Sequence, residues 1–123
     1  MTLASTLADG PPEPFHAELE RRGETVVVVA SGEIDLASED ELEALLRDAQ
    51  SGSGRVVLDL RRVVFLDCAG LRRILHAARE DGGEFALIPG PSQVQRLFLI
   101  THTYGALRFI DPGETGARVS EES

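Results

Sequence analysis

Apolar and polar positions change period several times along this chain, and each change marks an element. Phe15, Ala17 and Leu19 alternate with His16, Glu18 and Glu20, which predicts a half-buried strand over Phe15 to Arg21. Arg22-Gly23-Glu24 turns the chain into Thr25 to Ala30, a β-branched run, so the two segments form a hairpin. The unbroken valines predict a central strand covered on most of both faces. Val56 to Leu60 reads as a third buried strand, Glu84 to Ile88 as a fourth and Leu107 to Ile110 as a short last one. Between them the period becomes helical: Leu42, Leu45, Leu46 and Ala49; Leu71, Ile74, Leu75 and Ala78; Val94, Leu97, Phe98 and Thr101. Ser38 with Glu41 has capping-box spacing, Ser92 is expected to cap the third helix, and Asp81-Gly82-Gly83 and Gly105 are expected to end the second and third. The order β-β-α-β-α-β-α-β predicts a single α/β domain over residues 15–111. Its sheet is mixed and mainly parallel, with helices from successive βα units and an N-terminal β-hairpin. Residues 1–14, with Pro11, Pro12 and Pro14, read as a flexible leader, and 112–123 as a flexible polar tail.

Composition narrows the function. The 123 residues suffice for one core. A net charge of −9, from 21 acidic against 12 basic residues, argues against direct nucleic-acid binding and against attachment to anionic membranes. All 12 basic residues are arginine, so no Lys-dependent nucleotide site or Schiff base is available. A single cysteine excludes an internal disulfide. No basic leader with an apolar run opens the chain, and no apolar run is long enough to span a bilayer, so a cytoplasmic protein without membrane insertion is expected.

The chemistry concentrates at Asp67-Cys68-Ala69-Gly70, between the third strand and the second helix. Asp67 is placed to cap the helix by accepting a backbone N–H, and the exposed N–H groups of such a turn suit an anion or a partner's carboxylate. Cys68 is the one candidate nucleophile, favoured by the helix dipole and opposed by Asp67; it reads as a small, mostly buried packing residue. No phosphate-binding glycine loop, metal-ligand cluster or base-paired nucleophile is present, so no enzyme activity, cofactor, metal or catalytic residue is expected. His76 has no ligand partner at metal spacing. Arg72, Arg73, His76 and Arg79 line the outer face of the second helix, read equally as a solvated face or a partner contact. Ser38 reads as a helix cap rather than a phosphosite.

Phe65-Leu66-Asp67-Cys68-Ala69-Gly70-Leu71 resembles the signature of STAS domains, the anti-sigma factor antagonists, whose pattern runs hydrophobic-Asp-Ser-Ser-Gly-Leu. Gly32-Glu33-Ile34-Asp35 resembles the family's first loop, Gly-Glu-hydrophobic-Asp. The resemblance covers roughly residues 15–110 and implies a module that docks on an anti-sigma factor that is also a serine-protein kinase. It implies a contact surface of Asp35, Asp67, Cys68, Ala69, Gly70 and Leu71. It also implies that the second position of the Ser pair, here Ala69, is the phosphorylated one, so the usual switch is lost. The alternative is a STAS-type regulatory subunit of a transport assembly, or a small-ligand sensor.

Overall fold

The structure, a computed structural model, describes residues 13–52, 54–80 and 84–115. In chain order it has β1 (His16–Arg22), β2 (Thr25–Ile34), α1 (Glu39–Ser51), β3 (Arg55–Leu66), α2 (Cys68–Glu80), β4 (Phe85–Ile88) and α3 (Ser92–Ile100), then 3-10 turns at Tyr104–Ala106 and Pro112–Glu114. The strands lie in the order β1-β2-β3-β4. β1 runs antiparallel to β2 through a tight turn; β2, β3 and β4 are parallel, joined by α1 and α2 as crossovers. The α/β class, the mixed sheet and the N-terminal hairpin are as the sequence pattern implies.

Alternation along the strands sorts side chains onto two faces. Val26, Val28, Val56, Leu58, Phe85 and Leu87 point to one face and form a single core with the buried stripes of all three helices. Val27, Val57, Ala86 and Ile88 point the other way and meet Ile110. The valine run is therefore buried on both sides, with Val29 half-buried. No helix among the described residues is long and apolar enough to cross a membrane.

Three elements depart from expectation. β3 continues past Leu60 to Leu66, because twice it uses one more residue than β2: Val29 pairs with Asp59 but Ser31 with Arg62, and Gly32 with Val63 but Glu33 with Phe65. These bulges re-aim its end, burying Val63 and Leu66 and exposing Val64 and Phe65. The expected last strand is one bridge, Leu87 with Phe109, in which the Leu87 N–H donates to the Arg108 carbonyl at 2.8 Å and the Ile110 N–H to the Leu87 carbonyl at 2.8 Å. Pro89 and Pro112, which lack an N–H, stop the ladder on both sides. α3 starts on the Pro91 carbonyl, which accepts from Val94 and Gln95, so Ser92 is its first residue rather than its cap. The helix stops at Ile100, before Tyr104 and Gly105.

The domain also extends slightly at both ends. Glu13 is tied in, its carbonyl accepting from the Glu33 N–H at 3.1 Å. Thr115 is buried and accepts from Arg22, while Arg55 donates to the Glu114 carbonyl. Thr115 and Glu114, within the stretch expected as a polar tail, are thus held by Arg22 and Arg55. The leader to residue 12, the tail from 116 and the Asp81-Gly82-Gly83 stop lie outside the described residues.

α3 ends in a Schellman arrangement: His102 N–H donates to Leu99 O and Thr103 N–H to Phe98 O. His102 sits at φ 60, where glycine is the usual residue. His102→Gly removes a left-handed penalty of about 1–2 kcal/mol and adds back roughly 0.5–1 kcal/mol of unfolded-state entropy. The variant is expected to gain up to about 1 kcal/mol, read as a higher denaturant midpoint at unchanged slope. An unchanged or lower midpoint contradicts this account of the cap.

Candidate functional site

β2 and β3 finish together. Ile34 pairs with Leu66, and the next residue, Asp67, donates its N–H to the Ile34 carbonyl at 3.1 Å. From this shared end β2 runs into the 35–38 loop and β3 into α2. Asp67 caps α2 as its sequence position implies: Oδ1 accepts from Gly70 N–H at 3.1 Å, and its carbonyl accepts from Leu71 N–H at 2.9 Å. Gly70 lets the first turn press onto the strand ends. A Cβ there would lie 2.5 Å from Ile34 Cγ2 and 2.7 Å from Leu66 Cδ1, both well inside van der Waals contact.

That close approach divides the signature. Ala69, 6% exposed, and Leu71, 4% exposed, face the core, and Gly70 is buried. Cys68 is exposed and Asp67 half-buried. Ala69, Gly70 and Leu71 are buried, Gly70 against Ile34 and Leu66. One expectation is corrected. Cys68, expected to be packed inside, is instead the outward-facing member of the pair, because it opens α2 just beyond the strand end.

The facing loop is held by its own polar groups. Asp35 Oδ1 accepts from the Ala37 N–H at 3.1 Å and from the Ser38 hydroxyl at 3.3 Å. Ser38 Oγ accepts from the Asp35 N–H at 3.0 Å and lies 3.3 Å from the Glu33 and Asp35 carbonyls. Ser38 is buried and precedes α1, yet it makes no side-chain cap bond there. The expected capping box with Glu41 gives way because the hydroxyl turns back into the loop. Upstream, Gly32 has φ +83, and a Cβ on it would overlap the Pro14 carbonyl oxygen, so only glycine lets the 13–14 segment close on β2.

The basic strip on α2 is not uniform. Arg73 reaches across to α1, with Nε 3.1 Å from Glu39, Nη1 2.9 Å from Glu43 and Nη2 3.5 Å from Asp40. Arg72, His76 and Arg79 are exposed. Two further features escaped the sequence reading. Leu36 is 68% exposed and Phe65 48%, beside the turn. A large apolar residue in a polar loop, next to Asp35, was a signal for the first; the bulges that expose Phe65 leave no local signal. Behind the sheet, Asp59 is 4% exposed and takes two bonds from the Arg61 guanidinium, at 2.8 Å and 3.1 Å, and one from the Arg61 N–H. The hydrogen bonds to Asp59 raise the Arg61 pKa, with partial burial opposing them.

Comparison with known proteins adds to this geometry. The family model described as "Mlab, STAS domain" matches residues 17–105. An anti-sigma factor antagonist from Mycobacterium paratuberculosis superposes with a TM-score of 0.77 at 22% identity, covering 93% of this chain and 99% of that one. The unphosphorylated form of the antagonist SpoIIAA gives 0.68 at 23% identity, over 88% and 97%. The phosphorylated form of SpoIIAA, a Bacillus cell fate determinant, gives 0.61 at 25% identity, over 86% and 99%. Comparison of the sequence with curated proteins gives no match.

The tight seat of the turn is testable. Gly70→Ala forces Ile34 or Leu66 to move and is expected to cost about 1–3 kcal/mol, the range for overpacking. Asp67→Ala removes the cap and is expected to cost about 1 kcal/mol. Chemical denaturation of both variants checks this; a Gly70→Ala protein as stable as the parent would show that the turn is not pressed against the strands.

Proposed function

The chain belongs to the STAS-domain family, and we propose that it is a protein-binding regulatory module of the anti-sigma factor antagonist kind, docking through the lip of Asp35, Asp67 and Cys68 on an anti-sigma factor or serine-protein kinase. The observation that carries this reading is the outward-facing Cys68, at the capped start of α2, beside a loop that its own hydrogen bonds hold in one shape. A preformed lip loses little entropy on docking. In this reading the chain recognises and does no chemistry of its own.

The lip lacks the hydroxyl that a serine kinase phosphorylates. Cys68 offers a thiol and Ala69 a methyl group, and the adjacent hydroxyl, Ser38, is buried in loop hydrogen bonds. Binding is therefore not switched off by phosphate at the turn. The alternative, a regulatory subunit of a transport assembly or a ligand sensor, differs in the partner rather than in the lip.

Two variants separate surface from core. Cys68→Glu adds charge at an exposed helix start, where the dipole favours it by roughly 0.3–1 kcal/mol, so the fold is expected to survive. In capture from native lysate, the parent is expected to retain an ATP-binding kinase-like protein and Cys68→Glu to lose it at least about tenfold, or 1.4 kcal/mol. Ala69→Glu would bury an unpaired carboxylate and is expected to unfold the domain, at a cost of several kcal/mol, rather than act as an off-switch. A transport ATPase in place of the kinase selects the alternative. Equal retention by parent and Cys68→Glu removes the turn from the docking surface.

A further inference from the structure

We infer that the partner segment received by this lip carries a large apolar side chain flanked by arginine or lysine, and that Leu36 and Phe65 are its apolar contacts. This rests on the reading of the lip as a docking surface and specifies the chemistry of what docks there.

Leu36 and Phe65 are exposed without being loose. Leu36 sits inside the turn fixed by Asp35 and Ser38. Phe65 lies within β3, paired with Glu33, so the Phe65 and Glu33 side chains share a face of the sheet. Exposed apolar side chains on fixed backbone have the anatomy of interface anchors, since they exclude water from a contact without first being ordered.

The surrounding charge selects the partner's sign. Residues 33–41 hold Glu33, Asp35, Glu39, Asp40 and Glu41 and no basic residue. Arg73 engages Glu39 and Asp40 from α2; Glu41 is exposed, and Glu33, Asp35 and Asp67 are half-buried and unpaired with any arginine by a salt bridge among the described residues. Beside the loop runs a groove of about 400 Å³ lined by Glu13, Glu33, Asp35 and Glu41 above Pro14 and Phe15; no basic side chain lines it. Arg62 and Arg72 are the nearest cations in sequence, on β3 and α2, and both are exposed. An acidic segment would meet like charge along this loop, whereas a guanidinium or ammonium flanking an apolar anchor finds the carboxylates of Glu33, Asp35 and Glu41. The net charge of −9 adds long-range steering of the same sign, which salt screens.

The test titrates the isotope-labelled full chain with three short synthetic peptides, followed by amide chemical shifts. One has a Leu-Phe centre with arginine flanks, the second the same centre with glutamate flanks, the third arginine flanks with serines at the centre. The first is expected to shift amides 35–37 and 64–68, to bind at least about tenfold tighter than the others, and to weaken with added salt. Leu36→Ser and Phe65→Ser, both surface changes, are each expected to reduce its affinity several-fold. No binding, equal binding of the glutamate peptide, or shifts centred on the exposed Leu99, Ile100 and Tyr104 overturn the inference. The two levels separate with the lysate partner. A partner lost with Cys68→Glu but kept by Leu36→Ser and Phe65→Ser leaves the lip as the docking surface and removes this chemistry. A partner kept by Cys68→Glu removes the lip itself.

Discussion

The contact on which the rest depends is the seat of the first turn of α2 on the ends of β2 and β3. It needs a glycine at 70, because Ile34 and Leu66 leave no room for a side chain. It needs Asp67, whose N–H joins β3 to β2 and whose carboxylate caps the helix. Once the turn is seated, helical geometry decides which neighbours of Gly70 face in and out. Ala69 and Leu71 go under the helix and Cys68 goes to solvent. The signature is thus a packing motif first, and its exposed chemistry is what packing leaves outside.

A second constraint is electrostatic. α1 opens with Glu39, Asp40 and Glu41, where the helix dipole favours negative charge. Arg73 then draws Glu39 and Glu43 against α2, a pairing of partly buried groups that orients one helix on the other. The arginine strip that reads as one surface from sequence therefore divides: one member is structural, and the others stay with solvent.

Hydrophobic period made most of the fold legible. Runs such as Val26 to Ala30 and the 71-74-75-78 stripe report burial directly, and burial on this sheet follows alternation. What stayed hidden depends on contacts across the chain. The two β3 bulges come from pairing with β2 and leave no mark in the local pattern, so nothing local separates exposed Phe65 from buried Leu66. Ser38 has the residue type of a cap, but Asp35 and Glu33 offer its hydroxyl alternative partners. The Leu107–Ile110 run has strand propensity without enough of β4 to pair with. In the turn, Asp67 was legible because capping is local, whereas the inside–outside order of Cys68 and Ala69 rests on Gly70's contact with residues 34 and 66.

That order bears on what regulation the lip can support. The fold makes residue 68 the outward position and residue 69 a buried one. A thiol at 68 keeps the size and exposure of a serine while lacking the oxygen a serine kinase uses. Residue 69, by contrast, is 6% exposed in the seated turn. Opening the turn means separating Gly70 from Ile34 and Leu66 and giving up the Asp67 cap. In a domain of marginal total stability, that is a large fraction of the folding free energy. The turn is therefore held in one shape by the seat of Gly70 and the Asp67 cap.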